Sequence, residues 1–176
     1  MELSRTLISS ARGGDKIAFE ELLRPHIVSA AMLAYAMLQD RAEAEDAVQE
    51  AALSAWRKLG NLRAGEDFKP WFFGIVANRC RTVRRGSWTS VVRLATLPTP
   101  PDPGPEDKSV RGADLRSALA TLSAEQRAAV LLHFYLDLSL EEVARALGIS
   151  VAGVKSRINR ALKRLRPALR TTEELV

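Results

Sequence analysis

The fold is decided by residues 140–160, LEEVARALGISVAGVKSRINR. Apolar residues recur in the first half of this stretch at intervals of three and four, the period of an amphipathic helix. Gly148 follows at once, and a residue just past a helix end often takes the left-handed conformation that glycine adopts without steric conflict. Ser150 can cap the next helix, whose apolar side holds Val154 and Ile158. The pattern predicts a helix-turn-helix and, with it, a DNA-binding protein.

The second helix of this motif has a polar side, which in a recognition helix contacts base edges in the major groove. Gly153 lowers the stability expected of this helix, since an interior glycine costs about 1 kcal/mol relative to alanine. The alternative is that the basic residues only solvate the end of a small helical bundle. The candidate DNA-contacting residues are Lys155, Ser156, Arg157, Asn159 and Arg160.

Length and composition favour two domains. The chain has 176 residues, 47% of them hydrophobic, enough for one ordinary domain or two small ones. Five prolines lie between residues 98 and 105, and such a cluster continues neither a helix nor a central strand. We therefore predict an all-α protein whose two small helical domains, residues 1–86 and 113–176, are joined by a flexible proline-rich linker, residues 87–112.

The net charge of +5 and the pI near 9.8 fit a polyanionic partner such as nucleic acid. A membrane surface would attract the same charge, but no apolar run approaches the roughly 20 residues that span a bilayer. The N-terminus lacks the order of a secretory signal, so we expect a cytoplasmic protein without membrane insertion. Cys80 is the only cysteine, and neither His26 nor His133 has a neighbour at metal-ligand spacing. We predict neither a metal nor a cofactor.

An acidic face marks the helix that a capping-box pattern predicts to begin at Asp40 and to run to about Leu59. Asp46, Gln49 and Glu50 lie on this face at spacings of three and four, where like charges repel mildly. The face is either solvated surface or a docking surface for a basic partner. Catalysis by its carboxylates is disfavoured because no histidine lies nearby.

A second candidate nucleic-acid surface lies in residues 67–85, DFKPWFFGIVANRCRTVRR. Pro70 suits the start of a helix and Gly86 its end. The loop of residues 60–69 could receive an unstacked base, and Trp71 is either a stacking or a core residue. The helix face opposite the core stripe could approach nucleic acid and holds Gly74, Asn78, Arg81 and Arg85.

The chain resembles the extracytoplasmic-function sigma factors, the smallest sigma factors of bacterial RNA polymerase, over nearly its whole length. Residues 41–50, RAEAEDAVQE, look like their region 2.2, and residues 70–79, PWFFGIVANR, look like regions 2.3 to 2.4. Residues 122–127, LSAEQR, followed by the helix-turn-helix, look like region 4. Three motifs in the family's order are far more specific than one.

The resemblance implies a promoter-specificity subunit that melts promoter DNA and has no catalytic residues of its own. Asp46, Gln49 and Glu50 would dock on the clamp helices of the polymerase β′ subunit. The second domain would contact the β flap and read the minus-35 element through the candidate residues of the recognition helix, among which Arg157 suits a phosphate contact or surface charge better than base reading. An anti-sigma factor would cover both domains. The implied minus-10 contacts, which include capture of a flipped base, are Asn61, Arg63, Lys69, Trp71, Asn78, Arg81 and Arg85.

Two positions depart from the family pattern. Gly153 replaces the usual threonine, and Thr82 stands where an aspartate is frequent. The first alternative function is an ordinary helix-turn-helix activator or repressor that binds duplex DNA without polymerase. A DNA-processing enzyme would need a catalytic cluster that the sequence does not show. A structural adaptor would leave the basic surfaces without a purpose.

Overall fold

A computed structural model describes residues 2–89 and 117–173, and within them the side chains of residues 4–86 and 117–167. Every regular element in those two ranges is helical, which confirms the predicted all-α class. None of the helices there combines the length and apolar character needed to cross a membrane. The first range contains α1 (Glu2–Arg12), α2 (Lys16–Leu23), α3 (Ile27–Leu38), α4 (Arg41–Lys58) and α5 (Phe68–Thr89). The second contains α6 (Ala124–Val130), a π-type turn (Leu131–Tyr135), α7 (Leu140–Leu147) and α8 (Val151–Glu173).

Helix α4 is the centre of the N-terminal bundle because one of its faces is made of small residues. Its N-cap Asp40 accepts a hydrogen bond from the Glu43 backbone N–H at 2.9 Å, as the capping pattern predicts. Ala47, Ala51 and Ala55 are buried, and small side chains let the neighbouring helices α3 and α5 approach closely. The acidic face of α4 therefore points away from the core.

Helix α5 is longer than the sequence predicts. Gly86 was expected to end it, but the helix continues to Thr89, so this expectation is wrong. Glycine lowers helix stability by about 1 kcal/mol, yet it removes no hydrogen-bond donor and causes no clash, so a helix can pass through it. The proline cluster and nearly all of the predicted linker lie outside the described residues, and the predicted domain boundaries stay predictions.

The helix-turn-helix is confirmed in detail. The Ser139 Oγ accepts from the Glu142 N–H at 3.2 Å, and the Glu142 carboxylate accepts from the Ser139 N–H at 2.7 Å, a complete capping box at the start of α7. Gly148 ends α7 with φ 64°, in the left-handed region. The Ser150 Oγ then accepts from the Gly153 N–H at 3.1 Å and caps α8. Gly153 thus takes part in the cap instead of disrupting the helix.

The N-terminal bundle and the C-terminal helices pack against each other. Helix α7 lies on α5, α6 lies on α3, and one apolar cluster continues through both halves. Gly74 of α5 is at the closest approach, because a Cβ added there would lie 3.3 Å from the Ala146 carbonyl oxygen of α7. The face of α5 that holds Gly74 was expected to be open to nucleic acid. At Gly74 this expectation is wrong, because α7 packs over this part of α5 and leaves no room for nucleic acid.

The turn at Gly148 gives a test of the fold. Alanine at this position would be held at φ 64°, where a side chain costs roughly 1–2 kcal/mol. We expect Gly148→Ala to lower the free energy of unfolding by about 1 kcal/mol, measured by urea denaturation followed by circular dichroism. Gly60→Ala is the control, because Gly60 has no positive φ and no atom within 4 Å of an added Cβ. Equal stability of Gly148→Ala and the wild type would contradict the left-handed turn.

Candidate functional site

The exposed side of α4 carries an acidic row. Asp46, Gln49 and Glu50 are all exposed, and within the described residues neither carboxylate forms an ion pair. Leu53, 49% exposed, continues the same row one turn further along. The helical period could have placed Leu53 beside Gln49 and Glu50, but the sequence analysis did not single it out. The four residues form an acidic surface with an apolar end.

The loop before α5 is fixed at its base and open at its tip. The Arg12 guanidinium of α1 donates to the Leu59 carbonyl at 3.3 Å and to the Leu62 carbonyl. The Leu59 carbonyl also accepts from the Leu62 backbone N–H at 3.2 Å, so the Arg12 bonds add a second tie to the chain that follows α4. Asn61 and Arg63 are exposed, so the two loop residues predicted to contact DNA are accessible.

The start of α5 contributes an aromatic cluster. Trp71 is partly buried, and its ring centroid lies 5.7 Å from that of Phe68, which stacks on Phe72. Trp71 is therefore in part a packing residue. Lys69, predicted to contact DNA, donates to the carbonyl of Leu136, the residue that follows the π-type turn.

Further along α5, the predicted DNA-contacting residues differ in accessibility. Asn78 and Arg85 are exposed. The Arg81 guanidinium is mostly buried and donates to the Asn78 Oδ1 at 2.8 Å and to the Leu147 carbonyl of α7 at 3.0 Å. Arg81 therefore faces the second half of the chain.

The recognition helix α8 presents most of its predicted polar side to solvent. Lys155, Asn159 and Arg160 are exposed. The Arg160 guanidinium donates to the Ser156 Oγ at 2.6 Å, one helical turn back. Arg157 points elsewhere, because its Nη1 donates to a Glu125 carboxylate oxygen at 2.8 Å.

Glu125 is the residue that sequence reasoning missed. Its two carboxylate oxygens accept from the Arg81 Nε at 3.0 Å and the Arg81 Nη2 at 3.1 Å, and the Arg84 Nη1 lies 4.0 Å away. With Arg157, three arginines from two helices surround one carboxylate, a set we call the Glu125 cluster. In the sequence Glu125 reads only as an acid in the first turn of a helix, and its partners are 32 to 44 residues away, so no local pattern signals the cluster.

The Glu125 cluster keeps its carboxylate ionised. Partial burial would raise the pKa of Glu125, but the Arg81 hydrogen bond and the charges of Arg81, Arg157 and Arg84 outweigh it and set the pKa below its ordinary value. A lowered pKa means that the ionised cluster stabilises the packed arrangement at neutral pH and that this contribution is lost in acid.

Two titratable side chains, those of His26 and Cys80, are packed inside the N-terminal bundle. His26 lies between Phe68 and Phe73, with ring centroids 5.9 and 6.0 Å away. Burial, and then the charge of Lys69, lower the pKa of His26 below its usual 6.5. Cys80 is buried in α5, and burial raises the pKa of its thiol to about 11. Among the residues the structure describes, no group of histidines, cysteines and carboxylates could hold a metal ion.

Comparison with known proteins assigns these features to a family. The Sigma-70 region 2 family matches residues 22–89, and the Sigma-70 region 4 family matches residues 113–165. The chain is 33% identical over 165 residues to the ECF RNA polymerase sigma factor SigM of Mycobacterium tuberculosis, a match that covers 90% of this chain and 81% of SigM.

A second relative is longer than the present chain. The match to the ECF RNA polymerase sigma factor SigE of Mycolicibacterium smegmatis, 35% identical over 170 residues, covers 89% of this chain but only 64% of SigE.

A solved structure shows the same fold. It is the sigma factor RpoE in complex with the anti-sigma factor NepR from Bartonella quintana, 28% identical, with a TM-score of 0.69 over 86% of this chain and 96% of that one. The helical bundle, the helix-turn-helix and both family matches thus agree. The chain belongs to the extracytoplasmic-function sigma factors, a class of transcription initiation factors.

The environment of His26 gives a pH prediction. Because its pKa is lower in the folded state than in the unfolded chain, its contribution to stability is full above pH 6.5 and is lost as the pH falls through the folded value. We expect the unfolding free energy of the wild type to fall between pH 7.5 and 5.5 by more than that of His26→Phe, whose ring stays neutral. Urea titrations at several pH values measure this difference. Parallel pH profiles for the two proteins would contradict the assignment.

Proposed function

We propose that this chain is the subunit that recruits core RNA polymerase to particular promoters and opens the DNA at the minus-10 element. The acidic surface of α4 docks on a basic surface of the polymerase, the β′ clamp helices by resemblance. The chain supplies no catalytic residue, since RNA synthesis belongs to the polymerase. It acts in the cytoplasm, where polymerase and promoter DNA are found.

The observation that carries this proposal is the exposed acidic row of α4 inside the segment that matches Sigma-70 region 2. Asp46 and Glu50 have no ion-pair partner within the described residues, although the chain is basic overall. A surface of unpaired carboxylates has no use in binding DNA, because phosphates repel it. It suits a basic protein surface, whose complementary charge sets specificity and association rate. A helix-turn-helix regulator that acts without polymerase would not need it.

The minus-10 element is bound by the loop of residues 60–69 and by α5. Asn61, Arg63 and Asn78 are accessible for hydrogen bonds to an unstacked base and its neighbours. Arg85 and its neighbours hold the backbone of the separated strand. Unstacking a base costs a few kcal/mol, so its capture couples recognition to melting. Lys69, Trp71 and Arg81 complete this surface.

The minus-35 element is read by the second and third turns of α8. Lys155, Asn159 and Arg160 project side by side from the helix into solvent, the arrangement by which a recognition helix meets base edges. Ser156 orients Arg160 through the 2.6 Å hydrogen bond. Arg157 contacts backbone phosphate beside them, and the C-terminal helices also touch the β flap.

An anti-sigma factor is the expected regulator. The sigma factor RpoE of the solved complex has the same fold and is bound to the anti-sigma factor NepR. We expect a protein of this kind to bind the present chain across both of its halves and to exclude polymerase.

Charge reversal of α4 tests polymerase docking. Asp46→Arg combined with Glu50→Arg should weaken binding to core polymerase by more than about 100-fold, because each contact between opposite charges becomes repulsive. Affinity capture of polymerase by the tagged chain measures the loss, and circular dichroism confirms that the helices remain. Glu20→Arg combined with Glu21→Arg, on the exposed side of α2, is the matched control. Retained capture by the α4 variant would contradict the docking surface.

Arg160 tests promoter reading. Arg160→Ala should cost the polymerase complex about 1–3 kcal/mol on a promoter with an intact minus-35 element and much less on one with that element scrambled. Filter binding at fixed salt measures both affinities. Arg166→Ala, two turns further along α8 and also exposed, is the control. An equal loss on both DNAs would make Arg160 a phosphate contact.

A further inference from the structure

We infer that Arg12 of α1 is a positioning residue for promoter selection. It fixes the backbone that presents Asn61 and Arg63 to the minus-10 element, and it acts through that backbone and not by contact with the DNA. This inference rests on the proposed function, which assigns the two loop side chains to the minus-10 element. The match to Sigma-70 region 2 begins at residue 22, so Arg12 lies before the matched segment.

A short turn presents Asn61. It is a single turn of 3-10 helix, Leu59–Asn61, that follows directly on α4. The side chains of Leu59 and Leu62 are both 2% exposed, so they anchor the two ends of this turn in the core. Asn61, between them, is exposed. The direction of the Asn61 side chain therefore depends on the backbone between two buried leucines.

Arg12 binds both ends of this turn with one edge of its guanidinium. The Arg12 Nε donates to the Leu59 carbonyl at 3.3 Å, and the Arg12 Nη2 donates to the Leu62 carbonyl. The donors of a guanidinium lie in one plane at fixed angles, so a single side chain can fix two carbonyls relative to each other. Helix α1 contacts the turn, and Ala11, next to Arg12, is buried, so Arg12 projects from a fixed part of the bundle.

The peptide group that joins Leu62 to Arg63 is held from both sides. Arg12 donates to its carbonyl oxygen, and the Glu66 carboxylate accepts from its N–H at 3.0 Å. Because a peptide group is planar, hydrogen bonds to its oxygen and from its N–H together fix its orientation. This orientation sets the direction in which the Arg63 side chain leaves the loop.

The tip of the loop is closed by local bonds. The Glu66 N–H donates to the Arg63 carbonyl at 3.1 Å, and Gly65 takes the left-handed conformation, with φ 85°. These local features persist without Arg12. Loss of Arg12 should therefore leave the tip turn intact and let it pivot about its base.

A purely structural role for Arg12 is the alternative. Arg12 lies in the last turn of α1, where a cation interacts favourably with the helix dipole. However, both of its side-chain hydrogen bonds in the described part of the chain go to residues 47 and 50 positions away, and not to carbonyls of α1. Arg12 is also exposed, so water competes for its donors and its contribution to the stability of the whole fold is small. The bonds instead order one loop.

A fixed loop improves the choice between bases more than it improves binding to all of them. Specificity is the difference between the affinities for the right and the wrong base. A loop that can pivot adapts to a wrong base, whereas a fixed loop leaves its polar groups unpaired there and so rejects that base. Arg12 should therefore affect which base is selected at the minus-10 element.

The test measures base preference with the full-length chain bound to core polymerase. The template is one promoter that this holoenzyme transcribes, with its minus-10 element randomised, and the RNA products are sequenced. Asn61→Ala identifies the positions that the loop reads. At those positions, Arg12→Ala should lower the ratio between the most and the least preferred base by about 3- to 10-fold, the effect of one or two weakened hydrogen bonds. The minus-35 preference should not change.

Two variants separate the planar contact from the charge of Arg12. Arg5→Ala removes the same charge from an exposed position of α1 and should keep the preference of the wild type. Arg12→Lys keeps the charge but replaces the planar fork with a single ammonium group, so it should restore the preference only in part. Full restoration by lysine would overturn the contact with two carbonyls.

The second readout is amide hydrogen exchange of the free chain, measured by NMR without polymerase or DNA. In Arg12→Ala the amides of Leu62 and Arg63 should exchange about 3- to 10-fold faster, because the hydrogen bonds that order this backbone are weakened. Amides in the middle of α4, such as that of Ala51, should exchange at the rate of the wild type. Equal acceleration throughout the bundle would make Arg12 a structural residue and overturn the inference.

The remaining outcomes separate this inference from the proposed function. Unchanged base preference in Arg12→Ala, equal effects of Arg12→Ala and Arg5→Ala, or a uniform loss of transcription with the preferences intact would each overturn the positioning role alone. A wild type that transcribes no promoter with core polymerase would refute the proposed function, and the role in promoter selection with it.

Discussion

Gly74 of α5 meets the backbone of Ala146 in α7 with no side chain between them, and the placement of the helix-turn-helix on the N-terminal bundle depends on this contact. It sets α7 on α5 and so carries the helix-turn-helix onto the N-terminal bundle. The same packing brings Glu125, which is already paired with Arg157 inside the second half, within hydrogen-bond distance of Arg81 in the first half. A larger residue at Gly74 would push α7 away from α5 and weaken the contact between Arg81 and Glu125.

The two kinds of functional surface follow from different physical rules. The acidic row of α4 is presented by a helix whose opposite face is almost entirely alanine, so the docking surface is held by close packing of small residues. The DNA surfaces are held by caps and turns, where Ser150 and Gly148 set the direction of α8 and Arg12 fixes the base of the loop before α5. The first surface is exposed, whereas in the second Arg81 is hydrogen-bonded to Glu125 and Leu147 of the same chain.

Local sequence patterns predicted the helix-turn-helix, the α4 cap and the acidic row, because each depends on residues within about one or two helical turns of one another. The end of α5 was predicted wrongly, since a glycine weakens a helix without stopping it at Gly86. The Glu125 cluster and the packing of α7 against Gly74 could not be predicted, because each brings together residues that are far apart in the chain. Asn78 and Arg160 were candidate nucleic-acid contacts from the helix pattern alone, and the resemblance to the sigma factors assigned them to the minus-10 and minus-35 elements.

Promoter-dependent transcription tests the sigma-factor assignment most directly. Purified core polymerase transcribes a library of genomic fragments in two reactions, one with this chain and one without it. The 5′ ends of the RNA products from both reactions are then sequenced. We expect new start sites that appear only with the chain and share two upstream motifs at a fixed spacing. An unchanged set of start sites, together with tight binding of the chain alone to a specific duplex, would contradict the assignment and identify a helix-turn-helix regulator instead.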